Sequence, residues 1–102
     1  MNYRIIFSRD AKADISSAVG WYGLKDPNLA FRFLLDLRAT KLRITTYPYI
    51  FRLINGTFRR AGLKTFPYYI YFSLNIDIVF VIAVVHERRD DSTWKDRGNG
   101  YS

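Results

Sequence analysis

A chain of 102 residues, 49% of them hydrophobic, is one domain's worth of polypeptide with enough apolar material for a single core. It contains no cysteine and one histidine, which excludes disulfides and thiolate chemistry and leaves no metal site and no cofactor to expect. The formal net charge of +7, with a pI near 9.9, favours a polyanionic partner such as nucleic acid, a ribonucleoprotein or an acidic protein segment.

The opening residues lack the roughly 7–15-residue apolar stretch of a signal peptide. The longest apolar run, Ile78 to Val85, is far too short for a membrane span. A cytoplasmic protein without a membrane partner is expected. Tyr3 to Ser8 is aromatic and β-branched and reads as a short first strand. Ser8 is then placed to cap a helix, with Asp10 in its first turn and Ala11, Ile15, Ala18, Val19 and Tyr22 at helical spacing. Gly20 and Gly23 weaken its far end. Asp26 caps a second helix with Pro27 at the first position, and Ala30, Phe33, Leu34, Leu37 and Ile44 form its apolar stripe until Tyr47 and Pro48 end it. The short link between the two favours an antiparallel helical hairpin.

After Pro48 the period changes. Asn55-Gly56 signals a turn, Thr57 to Thr65 reads as a basic strand, and Tyr68 to Leu74 as another after the interruption at Pro67. Asn75, Ile76 and Asp77 form a hairpin turn into Ile78 to His86, which is apolar on both faces and therefore central in its sheet. The fold class expected is α+β, with an N-terminal strand and an antiparallel helical hairpin packed on a small, mostly antiparallel sheet. A single domain over residues 1–96 is expected, with 97–102 as a flexible C-terminal tail.

Charge is unevenly distributed. Between Asp36 and Asp77 no acidic residue occurs, whereas Arg38, Lys41, Arg43, Arg52, Arg59, Arg60 and Lys64 all fall there. A solvated basic face kept for solubility is the alternative to a binding surface. The second basic feature is His86-Glu87-Arg88-Arg89, followed by Asp90 and Asp91. His86 is the one side chain with an ordinary pKa near neutrality, so it is a candidate proton carrier, or else a strand cap. Arg88 and Arg89 either bind a target or pair with their acidic neighbours. Of the aromatic residues, Phe33, Phe72 and Phe80 lie on apolar stripes and belong in the core, while Tyr49, Phe51 and Phe58 stand near Arg52 and Arg59 and are less easily buried.

From Tyr3 to about Trp94 the chain resembles the RelE/ParE superfamily of bacterial type II toxins. The likeness rests on the helix holding Asp14, on Ala30 to Leu37, on Tyr47-Pro48, and more sharply on Phe66-Pro67-Tyr68 and His86 to Arg89. It implies a toxin held in a hetero-oligomer by a cognate antitoxin, acidic and partly disordered alone, and acting either on DNA gyrase or on ribosome-bound mRNA. A ParE-like toxin binds gyrase without chemistry of its own. A RelE-like toxin cleaves mRNA without metal, which demands a group at the ribose 2′-hydroxyl, an acid for the leaving oxygen and several cations.

The ribonuclease candidates are Lys64, His86, Arg88 and Arg89, with Arg59 or Arg60 beside them. The pattern departs from that chemistry at Tyr69, where a RelE-type toxin carries a catalytic arginine, at Glu87, where many carry arginine, and at Trp94, which stacks but moves no proton. The gyrase-directed reading is therefore preferred. A basic module without toxicity is the third possibility. The target-binding surface expected comprises Arg59, Arg60, Lys64, Tyr69, His86, Arg88, Arg89 and Trp94, as one positive face; the antitoxin groove comprises Tyr49, Phe51, Arg52 and Phe58.

Overall fold

The computed structural model describes residues 3–89 and 92–101. Strand β1 (Arg4–Phe7) leads into helix α1 (Arg9–Lys25), whose N-cap is Ser8: its Oγ accepts the Ala11 N–H at 3.0 Å. Helix α1 continues through Gly20 and Gly23, where a Cβ at Gly23 would meet the Ala30 Cβ at an ordinary contact distance of 3.7 Å. Asp26 accepts the Asn28 N–H at 3.0 Å and Pro27 opens helix α2 (Pro27–Thr46). A 3-10 turn at Pro48–Ile50 follows.

The sheet then builds outward through β2 (Arg52–Leu53), β3 (Phe58–Gly62), β4 (Tyr68–Asn75) and β5 (Ile78–His86), and the chain closes with helix α3 (Ser92–Tyr101). Strand order is β1-β5-β4-β3-β2, with β1 parallel to β5 and the other pairs antiparallel. The central position of β5 and the helical hairpin stand as expected. The basic strand is shorter than Thr57 to Thr65, so Lys64 sits in the β3–β4 turn.

Each face of the sheet has its own core. On one face, Ala11, Leu37 and Ile44 of the hairpin cover Ala61, Ile70, Phe72, Val79, Val81 and Val84. On the other, Trp94 of α3 covers Phe58, Tyr71, Ile82, Ala83 and Val85. A bulge between Tyr71/Phe72 and the facing stretch of β5 turns the consecutive residues Ile82 and Ala83 toward this second core.

Two expectations are corrected here. The stretch from Arg97 to Tyr101 is helical and continues α3, and α3 lies so close on β3 that a Cβ at Gly98 would stand 2.9 Å from the Phe58 ring. On α2 the inward positions are Phe33, Asp36, Leu37, Thr40 and Ile44, while Leu34 turns out to solvent at 42% exposure. Among the described residues no helix is long and apolar enough to cross a membrane.

The β4–β5 hairpin carries a conformational cost. Asn75 pairs with Ile78, so Ile76 and Asp77 are its two loop residues, and Ile76 has φ of 57° while being almost fully exposed. A β-branched residue in the left-handed region is strained and gains nothing from burial here. Ile76→Asn or Ile76→Gly should stabilise the fold by about 0.5–1 kcal/mol, read as a higher urea midpoint at unchanged slope.

Candidate functional site

The end of the sheet where β5 stops is held by an aromatic cluster. Tyr22 and Phe33, from the two helices, meet Phe66 at 4.9 and 5.5 Å, Phe33 meets the Tyr68 ring at 5.1 Å, and Tyr68 meets His86 at 5.3 Å. The Tyr68 hydroxyl is pushed up to about 12, first by burial and then by its neighbour and hydrogen-bond partner Tyr22, with Arg89 opposing. It is therefore a neutral donor at physiological pH. Because the unfolded value is near 10.0, its contribution to stability is complete below that pH and is lost as pH rises toward 12. Urea midpoints measured across this window should fall less steeply in Tyr68→Phe than in the parent.

Asp36, missed in the sequence as a structural residue, fixes the neighbouring turn. Its Oδ1 accepts the Lys64 N–H at 3.2 Å and its Oδ2 accepts those of Thr65 and Phe66 at 2.8 Å each. Three amides that no strand can pair are thus satisfied by one buried carboxylate. The clue was available: Asp36 is the last acid before the long basic stretch, and it falls on the inner stripe of α2.

A second carboxylate works where the β1–β5 ladder ends. Pairing stops at Phe7, and beyond it the free edge of β5 is met by side chains: Ser8 Oγ donates to Ile82 O at 3.4 Å and Asp14 Oδ2 accepts the Val84 N–H at 2.9 Å. Arg97 of α3 grips Asp14 with both terminal nitrogens, one of them at 3.0 Å from Oδ1, and also donates to Ile82 O at 3.2 Å. This forked pair joins α1, β5 and α3 at one point.

Past β5, a turn over His86–Arg89 is closed by the Arg89 N–H to His86 O at 2.9 Å, while His86 Nδ1 accepts the Arg88 N–H at 3.1 Å. The His86 side chain is thus engaged by the turn that ends its strand. The pairing of Arg88 and Arg89 with Asp90 and Asp91 lies outside the described residues. His86, Arg88 and Arg89 share a groove of about 510 Å³ with Ser17 and Trp21 of α1 and with Tyr68.

The other basic residues are not gathered with them. Neighbours along a strand point to opposite faces. Arg59 therefore lies on the hairpin side, donating to Phe51 O at 2.9 Å with its guanidinium 5.1 Å from the Tyr49 ring, while Arg60 lies on the α3 side, 4.1 Å over the Tyr69 ring. The single positive face drawn from the sequence is corrected to separate patches.

Trp94 is corrected too. It is 3% exposed, stacked on Tyr71 at 5.0 Å, and is a core residue rather than a target contact. Phe58, 6% exposed beneath Trp94 and Gly98, is not available to line an antitoxin groove. Phe51 is half-buried against Phe72 at 6.0 Å, whereas Tyr49 and Arg52 are exposed. Among the described residues no three His, Cys, Asp or Glu side chains are grouped to hold a metal.

A helical hairpin over a five-stranded, mostly antiparallel sheet, with a basic end beyond the central strand, defines the RelE/ParE class of fold. The model of the family described as "ParE toxin of type II toxin-antitoxin system, parDE" matches residues 5–91, and the chain belongs to that family. A solved structure described as "Chromosomal ParDE TA system from P. aeruginosa" superposes with a TM-score of 0.72 at 14% identity, over 82% of this chain and 95% of that one. At that identity the likeness is one of fold. No curated protein sequence matches the chain significantly.

Proposed function

We propose that this ParE-family toxin arrests growth by binding DNA gyrase, without a reaction of its own, and that a cognate antitoxin neutralises it in a hetero-oligomer. What supports this reading is that Arg59 and Arg60, the further cations that metal-free RNA cleavage would draw on beside Lys64, His86, Arg88 and Arg89, do not join them. Arg59 is tied to backbone oxygen, Arg60 is stacked on Tyr69 across the sheet, His86 is engaged by the turn it caps, and Trp94 is in the core. In this reading the target meets the end of the sheet carrying Lys64, His86, Arg88 and Arg89.

The antitoxin takes the opposite, β2 side. Tyr49 and Arg52 stand exposed there beside Tyr47, Ile50 and Leu53, on a sheet edge that offers both apolar contact and unpaired backbone. Its acidic character follows from the charge: Asp36 is the last carboxylate before Asp77 and is consumed internally, so the exposed surface of this region is cationic.

Inducible expression in bacteria separates the targets. Gyrase poisoning predicts filamentous cells and a DNA-damage response. Rapid arrest of translation with cleaved mRNA would instead establish a RelE-like ribonuclease, and the cooperation of Lys64, His86, Arg88 and Arg89 would then be catalytic.

A further inference from the structure

We propose that the groove between α1 and the His86–Arg89 turn binds one unpaired nucleotide of a nucleic-acid strand, its base on Trp21 and its phosphate on Arg88 and Arg89. This rests on reading that end of the molecule as target-facing, and it assigns the groove a chemical class of ligand.

Short residues line the groove, Ala13 and Ala18 from α1 and Val84 and Val85 from the end of β5. Its volume of about 510 Å³ falls within the ~300–1,000 Å³ typical of sites for small ligands. Asp14 lies within it but is committed to Arg97 and the Val84 amide, so its charge is compensated where it stands. Arg88 and Arg89 line it from consecutive positions on a hydrogen-bonded turn, and paired guanidinium groups suit the oxygens of a phosphate. Ser17 adds a hydroxyl donor to the lining.

Trp21 decides between classes of anion. It is 58% exposed, lies off the apolar repeat of α1 and lines the groove, with Lys25 at 4.5 Å from its ring centre. Acidic and aliphatic side chains cover an indole poorly, and a base paired within a duplex offers no free face. An unpaired base does.

Titration of the whole purified protein with a short 5′-phosphorylated oligothymidylate, followed by tryptophan fluorescence, tests this directly. Trp94 is shielded in the core, so quenching reports on Trp21. Binding should quench the emission, and Trp21→Ala and Arg88→Glu should each weaken affinity roughly tenfold or more, measured for the former by labelled oligonucleotide. Arg38→Glu, the same charge change on the exposed side of α2, should have a far smaller effect. Equal losses from Arg38→Glu and Arg88→Glu would mean diffuse attraction and overturn the assignment. So would full affinity in Trp21→Ala, or equally tight binding of an oligoglutamate. If the oligonucleotide fails to bind while induced expression still arrests growth, the groove assignment falls and the toxin reading stands.

Discussion

Asp36→Ala should destabilise the protein by about 3–4 kcal/mol. Hydrogen bonds to a charged group contribute about 1.5–3 kcal/mol each, and leaving their buried partners without an acceptor costs more than the bonds themselves stabilise. Three backbone amides, those of Lys64, Thr65 and Phe66, would lose their acceptor at once. The contributions are not additive, because the freed turn relaxes toward water. Asp36→Asn keeps one acceptor oxygen and should lose less. Urea unfolding gives the magnitude, and hydrogen exchange at Thr65 and Phe66 shows whether the turn opens locally before the whole fold does. A loss below about 1 kcal/mol for Asp36→Ala would mean that the turn is held by Phe66 in the aromatic cluster and not by the carboxylate.

Asp14→Ala should cost a similar amount, about 3–5 kcal/mol, for a different reason: a mostly buried guanidinium loses its forked carboxylate, keeping only Ile82 O and the more distant Asp10 among the contacts described, and the Val84 amide loses its acceptor. Removing Arg97 as well should recover part of that loss. A double-mutant cycle of Asp14→Ala and Arg97→Ala is expected to give a coupling of about 1–3 kcal/mol. The structural consequence is the release of α3, since Arg97 is its polar anchor and Trp94 its apolar one. Near-ultraviolet circular dichroism, sensitive to the Trp94–Tyr71 stack at 5.0 Å, should report that release. Additive losses with unchanged aromatic signal would show that Trp94 alone seats the helix.

The features legible in the sequence were those whose cause is local. Ser8, Asp26 and Pro27 mark helix starts through contacts within three residues, and the apolar run of β5 declares a strand covered on both faces without reference to its partners. Helix α3 was not legible, because its two interior glycines lower its intrinsic propensity and its anchors lie far away, Arg97 reaching Asp14 across 83 positions. Asp36 was hidden for the same reason, its partners lying 28 to 30 residues on. The division of Arg59 from Arg60 is another matter: the two-residue period of a strand separates adjacent side chains, and reading them as one patch overlooked it. Trp21 could also have been found, as a large aromatic residue outside the repeat of Ala11, Ile15, Ala18, Val19 and Tyr22.

The claim that this toxin acts by binding gyrase is tested most directly by adding the purified protein to DNA gyrase and relaxed plasmid with ATP, beside a ribosome-programmed mRNA reaction. The account predicts loss of supercoiling, restored by the cognate antitoxin and weakened by Arg88→Glu with Arg89→Glu, while the mRNA stays intact. Undiminished supercoiling together with codon-phased cuts in ribosome-bound mRNA would contradict it.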